Sequence, residues 1–173
     1  MASQSSLTTA EKDALERFPL LAKEFCEFID VCTGLERKTL LRQVSVQLAQ
    51  LCEVGARLPW VNPASGGLDS PADSSSLHRQ QSVSIETMLR EKLGKVNEYW
   101  EVFDPTQKEE PVCGHLSIDI VEIYFDLREA LHLLETDVAR EDVYFDWLFS
   151  FRSHWSRHAV SALKVALLFS DDA

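Results

Sequence analysis

Apolar residues recur at helical spacing along most of the chain. Leu21, Phe25, Phe28, Ile29 and Cys32 share one stripe. A shorter helical run from Thr9 to Arg17 precedes it, and Pro19 is expected to break or kink the path between them. Gly34 stands where a helix stops. Leu41, Val44, Leu48 and Leu51 define a second helix from about Glu36 to Arg57, halted by Pro59. A third is expected from Ser84 to Phe103 on Ile85, Met88, Leu89, Val96, Trp100 and Phe103, with Pro105 as its stop. Ser117 is placed to cap a fourth helix to about Glu135, carrying Ile120, Ile123, Tyr124, Leu127, Leu131 and Leu134. Thr136 or Asp137 would cap a fifth, running to Phe169 with Tyr144, Trp147, Phe151, Trp155, Ala162 and Ala166 on its buried side. No strand pattern and no repeat stands out.

Between these stripes, residues 59–82 hold three prolines, the Gly66-Gly67 pair and a run of serines, which predicts an irregular connection. The first eight residues are polar and expected to be disordered. The pattern therefore predicts an all-α fold: one helical domain over residues 9–170, a bundle of about five helices with one long Pro/Gly/Ser-rich loop. At 173 residues the chain can bury a sizeable core. With 45% hydrophobic and 26% charged residues it falls outside the disordered and fibrous classes.

Charge changes the picture more than composition does. The net charge is -11, and residues 98–146 carry all of it, with fourteen acids against Lys108, Arg128 and Arg140. Such a chain is a poor default binder of nucleic acid or anionic membrane. No stretch reads as a signal peptide or a membrane span, so a cytoplasmic location is expected. Cys26, Cys32, Cys52 and Cys113 show no C-x-x-C spacing and read as small core residues.

Candidate chemistry lies on the last two helices. Asp119, Glu122, Asp126 and Glu129 fall on one stripe of the fourth. His154 and His158 stand one turn apart on the fifth, the spacing that lets two imidazoles share a metal. Trp155 follows His154 where a zinc protease needs glutamate, and no nucleotide-binding or nucleophile-elbow motif is present. Antiparallel packing would set residues 115–126 against 151–162. His158 is then expected to be buried and hydrogen-bonded to Asp126 or Asp119, the structural reading. The alternative is a divalent metal on His154, His158, Asp119 and Asp126, with His115 and Glu122 as further suppliers. Tyr99, Trp100, Tyr124 and Trp155 are the aromatic candidates for lining a pocket.

Three segments, LGKVNEYWEVFDP (93–105), EPVCGHLSIDIVEIYFDL (110–127) and FRSHWSRHAVSALKVAL (151–167), resemble an uncharacterised family of bacterial, all-helical proteins with a domain of unknown function. The resemblance marks Tyr99, Trp100, Asp104, Pro105, Glu110, Gly114, Asp119, Tyr124, Asp126, His154, Trp155 and His158. Ile118 and Ser156 depart from its pattern, which expects an acid and a glycine there. The family implies no activity. With no catalytic motif and no cofactor expected, the first functional expectation is a non-catalytic helical interaction or accessory protein whose acidic face meets a basic protein surface. A metal-binding protein is the second.

Overall fold

The computed structural model describes residues 7–64, 74–102, 104 and 106–170. Helix α1 spans Thr9–Val31, α2 Arg37–Gly55, α3 Ser74–Leu93, α4 Leu116–Leu134, α5 Arg140–Ser150 and α6 Ser156–Phe169. A short hairpin, β1 Glu98–Glu101 with β2 Val112–His115, is inserted between α3 and α4. The all-α expectation holds, with this one two-stranded exception. Among the described residues no helix is long and apolar enough to cross a membrane.

Helix α4 forms the centre and touches α1, α3, α5 and α6. Its sequence explains this. Leu116, Ile120, Val121, Ile123, Tyr124, Leu127, Ala130 and Leu133 are all buried, so the helix is apolar over much more than one stripe. Helix α6 lies between α2 and α4 and presents Ala159, Ala162 and Ala166 to the core, side chains small enough for close approach.

Several local expectations are corrected. Pro19 does not interrupt α1, which runs through it. Ala14, Phe18, Ala22, Phe25, Cys26 and Ile29 form one continuous buried face, and packing along that face outweighs the roughly 3 kcal/mol that an interior proline costs. Thr8, expected in the disordered end, is the N-cap of α1: its hydroxyl accepts from the Glu11 amide at 3.2 Å, and Glu11 Oε2 accepts from the Thr8 amide at 2.7 Å. The rest of the expected disordered end, residues 1–6, lies outside the described residues. Helix α3 starts at Ser74 rather than Ser84, so the irregular connection is shorter than 59–82. Serine is a middling helix former, and nothing after Pro71 stops the helix from extending towards it. Residues 65–73, with the glycine pair, lie outside the described residues, as do Phe103 and Pro105, the expected end of that helix.

The third helix in fact ends at Leu93, because Gly94 adopts φ +56°, a conformation that favours glycine. Beyond it, Tyr99 and Trp100 form β1 instead of continuing the helix. The strands pair antiparallel, with Tyr99 opposite Gly114 and Trp100 opposite Cys113. Asn97 locks the hairpin to α4. Its backbone oxygen accepts from the Leu116 amide at 2.8 Å, and its side-chain oxygen accepts from the Ser117 amide at 2.9 Å. The cap of α4 is thus supplied by Asn97 and not by Ser117. The fifth expected helix is α5 and α6 joined by a π-helical turn, Phe151–Trp155, and its N-cap is Ala139 rather than Thr136 or Asp137.

Candidate functional site

The register of α4 against α6 follows from their side chains. His158 Nδ1 donates to Asp119 Oδ1 at 2.8 Å, and His154 Nδ1 donates to Asp126 Oδ2 at 2.8 Å. One index rises as the other falls, as antiparallel packing requires. The two imidazoles meet edge to face with centroids 5.1 Å apart. Glu122 Oε2 lies 3.8 Å from His154 Nε2. The structure therefore brings Asp119, Glu122, Asp126, His154 and His158 together.

His158 differs from expectation in one respect: 30% of its side chain is exposed. A stripe drawn through Trp147 and Phe151 assumes 3.6 residues per turn throughout. The wide turn at Phe151–Trp155 rephases the helix beyond it, so Ala159 takes the buried position and His158 moves to the edge, towards the hairpin. There the hydrogen bond to Asp119 raises the His158 pKa, against the opposing effect of its partial burial.

The hairpin completes this half of the site. The Tyr99 hydroxyl donates to Asp119 Oδ2 at 2.6 Å, so Asp119, only 6% exposed, has a partner on each oxygen. Burial first, and then the Asp119 hydrogen bond, push the Tyr99 phenol up and keep it a donor. Ser161 on α6 donates to Glu101 Oε2 at 2.7 Å, a second tie between hairpin and helix. Tyr99, Asp119, Arg157, His158 and Ser161 line a cavity of about 230 Å³. Tyr99 reaches Asp119 across the bare Cα of Gly114, where a Cβ would stand 2.5 Å from the ring carbon Cζ. Gly114→Ala is expected to displace Tyr99 and cost about 1–3 kcal/mol. In the Tyr99→Phe background the cost should shrink, because the bond to Asp119 is already gone; equal costs in the two backgrounds, measured by chemical denaturation, would disprove the link.

The other aromatic candidates lie elsewhere. Tyr124 is buried on the α1 side, where its hydroxyl donates to Asp30 Oδ1 at 2.7 Å, accepts from Gln81 Nε2 at 3.2 Å and lies beside the Asp30–Arg128 ion pair. Sequence reasoning did not single out Asp30, Arg128, Asn97 or Glu101 as site residues, since the partners that give them their roles lie far away along the chain. Trp155 is wholly buried, against Phe18 and Phe151. Trp100 is 70% exposed, and Cys113 opposite it is exposed rather than in the core. Neither tryptophan lines the cavity.

The expected metal set is also changed. Among the described residues no group of three or more His, Cys, Asp and Glu side chains is arranged to hold a metal ion. Asp119 and Asp126 lie behind the rings, on Nδ1, and do not converge on a point shared with Nε2.

On the far side of His154, α5 adds Asp146 to the acids of α4. Burial, then Glu129 and Asp126, push its carboxyl from the ordinary 3.8 up to about 6, and burial raises Asp126 as well. A carboxyl raised on folding holds its proton better in the folded state. Above about pH 6 its charge therefore destabilises the fold, and the cost disappears as the pH falls towards the unfolded value. Asp146→Asn is expected to stabilise the protein by about 1–2 kcal/mol near neutral pH, at about 1.4 kcal/mol per pH unit less an allowance for partial exposure. Thermal melts should show that gain vanish near pH 4; a gain independent of pH would refute the assignment.

The family model of DUF5063, a domain of unknown function, matches residues 9–169. The crystal structure of protein BF1032 from Bacteroides fragilis superposes with a TM-score of 0.73 at 17% identity, covering 92% of this chain and 96% of that one. At that identity the likeness is one of fold. Among curated proteins none matches.

Proposed function

The chain belongs to the DUF5063 family, and on that premise we propose that it is a non-catalytic cytoplasmic binding protein whose acidic face takes a basic surface of a partner protein. The observation carrying this reading is the gathering of Asp126, Glu129 and Asp146 on α4 and α5, where burial first and then the charges of Glu129 and Asp126 push Asp146 up to about 6. Glu122 and Asp126 pair with His154 rather than with an arginine or lysine. Carboxylates held together at a cost to the fold are relieved when a cationic partner arrives, which gives the patch a use that balances its cost. A lysine homopeptide is the simplest probe. Its affinity should fall at least about tenfold from low to high salt. It should fall similarly in the triple variant Glu122→Gln, Asp126→Asn, Glu129→Gln. Binding indifferent to both would sink the reading.

A second reading, a metal held by the histidine pair, is favoured by one observation. Each Nδ1 is held by an aspartate, so that in the neutral rings Nε2 is the ligating atom, with Glu122 3.8 Å from that of His154, and metal-binding histidines are commonly backed this way. Untagged protein titrated with zinc should then bind it, and His154→Ala should abolish binding without loss of fold; an untagged protein that takes up no zinc would reject this reading.

A further inference from the structure

Beside the acidic face runs an exposed aromatic ladder. Glu141, Phe145 and Phe149 stand four residues apart on α5 and so share one stripe. Phe145 and Phe149 stack with centroids 6.0 Å apart and planes 20° from parallel. Trp60, from the segment after α2, meets Phe145 edge-on at 5.5 Å and 88°. Trp60 is 62% exposed and Phe149 57%. Two mostly exposed aromatic rings meeting on a half-buried third, Phe145, are unusual on a surface that only meets water. The next stripe of the same helix carries Asp146, which feels the charges of Asp126 and Glu129 of α4. Apolar anchors on α5 and a carboxylate bank shared by α5 and α4 thus adjoin.

We infer that this composite face takes an amphipathic, basic helix of a partner protein, whose apolar side seats on Trp60, Phe145 and Phe149 while its lysines or arginines reach the acids of α4 and α5. The inference rests on the acidic-face reading above and adds the shape of the partner to its charge. Charge complementarity selects the occupant: an acidic helix would meet Glu141 and Asp146 with like charge, and a purely apolar one would gain nothing from them. Exposed aromatic side chains are the usual anchors when a helix docks on a protein surface. Long basic side chains can lie over Phe145 and Phe149 and still carry their charge to the neighbouring carboxylates. An arginine can also stack on Trp60.

The test compares two synthetic peptides of equal charge: a lysine homopeptide, and a leucine–lysine peptide patterned to form an amphipathic helix. Titration calorimetry on the full chain should show the patterned peptide binding at least about tenfold tighter. Trp60→Ala with Phe149→Ala should remove that advantage and leave the homopeptide unchanged. Both side chains are mostly exposed, so an unaltered melting temperature is expected and confirms that the variant is folded. Equal affinities for the two peptides, or an advantage that survives the double variant, would overturn this inference while the salt-dependent binding of the homopeptide keeps the acidic-face reading intact. Loss of homopeptide binding in wild type would remove that reading itself. A concentration-dependent dimer abolished by the same double variant would also overturn the inference, by assigning the ladder to a second copy of the chain.

Discussion

Trp155→Ala is expected to cost about 3–5 kcal/mol of stability, whereas Trp100→Ala should change it by less than about 0.5 kcal/mol. The two tryptophans look alike in sequence, and both are candidates for lining a pocket. The fold separates them: Trp155 has no exposed surface and packs on Phe151 at 4.8 Å and Phe18 at 6.1 Å, while Trp100 stands on the outer face of the hairpin. Trp155→Phe should recover most of the loss, since the indole nitrogen is buried with no hydrogen-bond partner among the described residues and little is lost with it. Urea denaturation of the three variants checks this. Similar costs for Trp100→Ala and Trp155→Ala would contradict the placement of both.

Asp119→Ala should cost about 2–3 kcal/mol and Asp126→Ala less than about 1 kcal/mol. Asp119 is almost fully buried and accepts from both Tyr99 and His158, so its loss strands two donors. Asp126 is 23% exposed, its partner His154 is 42% exposed, and burial already pushes Asp126 towards neutrality. The cost at Asp119 should also depend on pH. His158 has a raised pKa in the fold, so its pairing contributes fully below the ordinary histidine value and is lost as the pH rises through the raised one. The difference between wild type and Asp119→Ala should therefore be largest below the ordinary histidine pKa and shrink as the pH rises through the raised one. A constant difference would mean that the histidine contributes nothing to it.

The part of this site that was legible in the sequence came from periodicity. The stripe at Asp119, Glu122 and Asp126, the turn spacing of His154 and His158, and antiparallel neighbours were enough to place His158 against Asp126 or Asp119; the structure selects Asp119 and gives Asp126 to His154. The features that stayed hidden depend on contacts that periodicity cannot encode. Val96, Trp100 and Phe103 continue a helical spacing, yet the backbone at Gly94 turns left-handed and the residues after it pair with a strand more than ten positions away. Tyr99 joins the site only because that hairpin folds back, and Asn97 caps a helix to which it is not adjacent in sequence. Pro19 misled for the opposite reason: a local rule was overridden by a long buried face.

The π-helical turn at Phe151–Trp155 sets limits on what the gene can lose. It holds one residue more than a regular helix would need. Deleting a single codon there would leave an uninterrupted α-helix with Ser156–Phe169 still on the same face, because the wide turn already absorbs that residue. A codon lost from the regular turns of α5 instead would swing Ser156–Phe169 by about 100° about its axis, turning the alanine face from the core and taking the imidazoles from their aspartates together. The same deletion in the exposed stretch 106–111 would only shorten a loop, at small cost. In DUF5063 chains that share this arrangement, insertions and deletions should therefore accumulate freely in the hairpin loop, be limited to one residue at the π turn, and be absent from the regular turns of α5, where one residue sets the rotation of a helix.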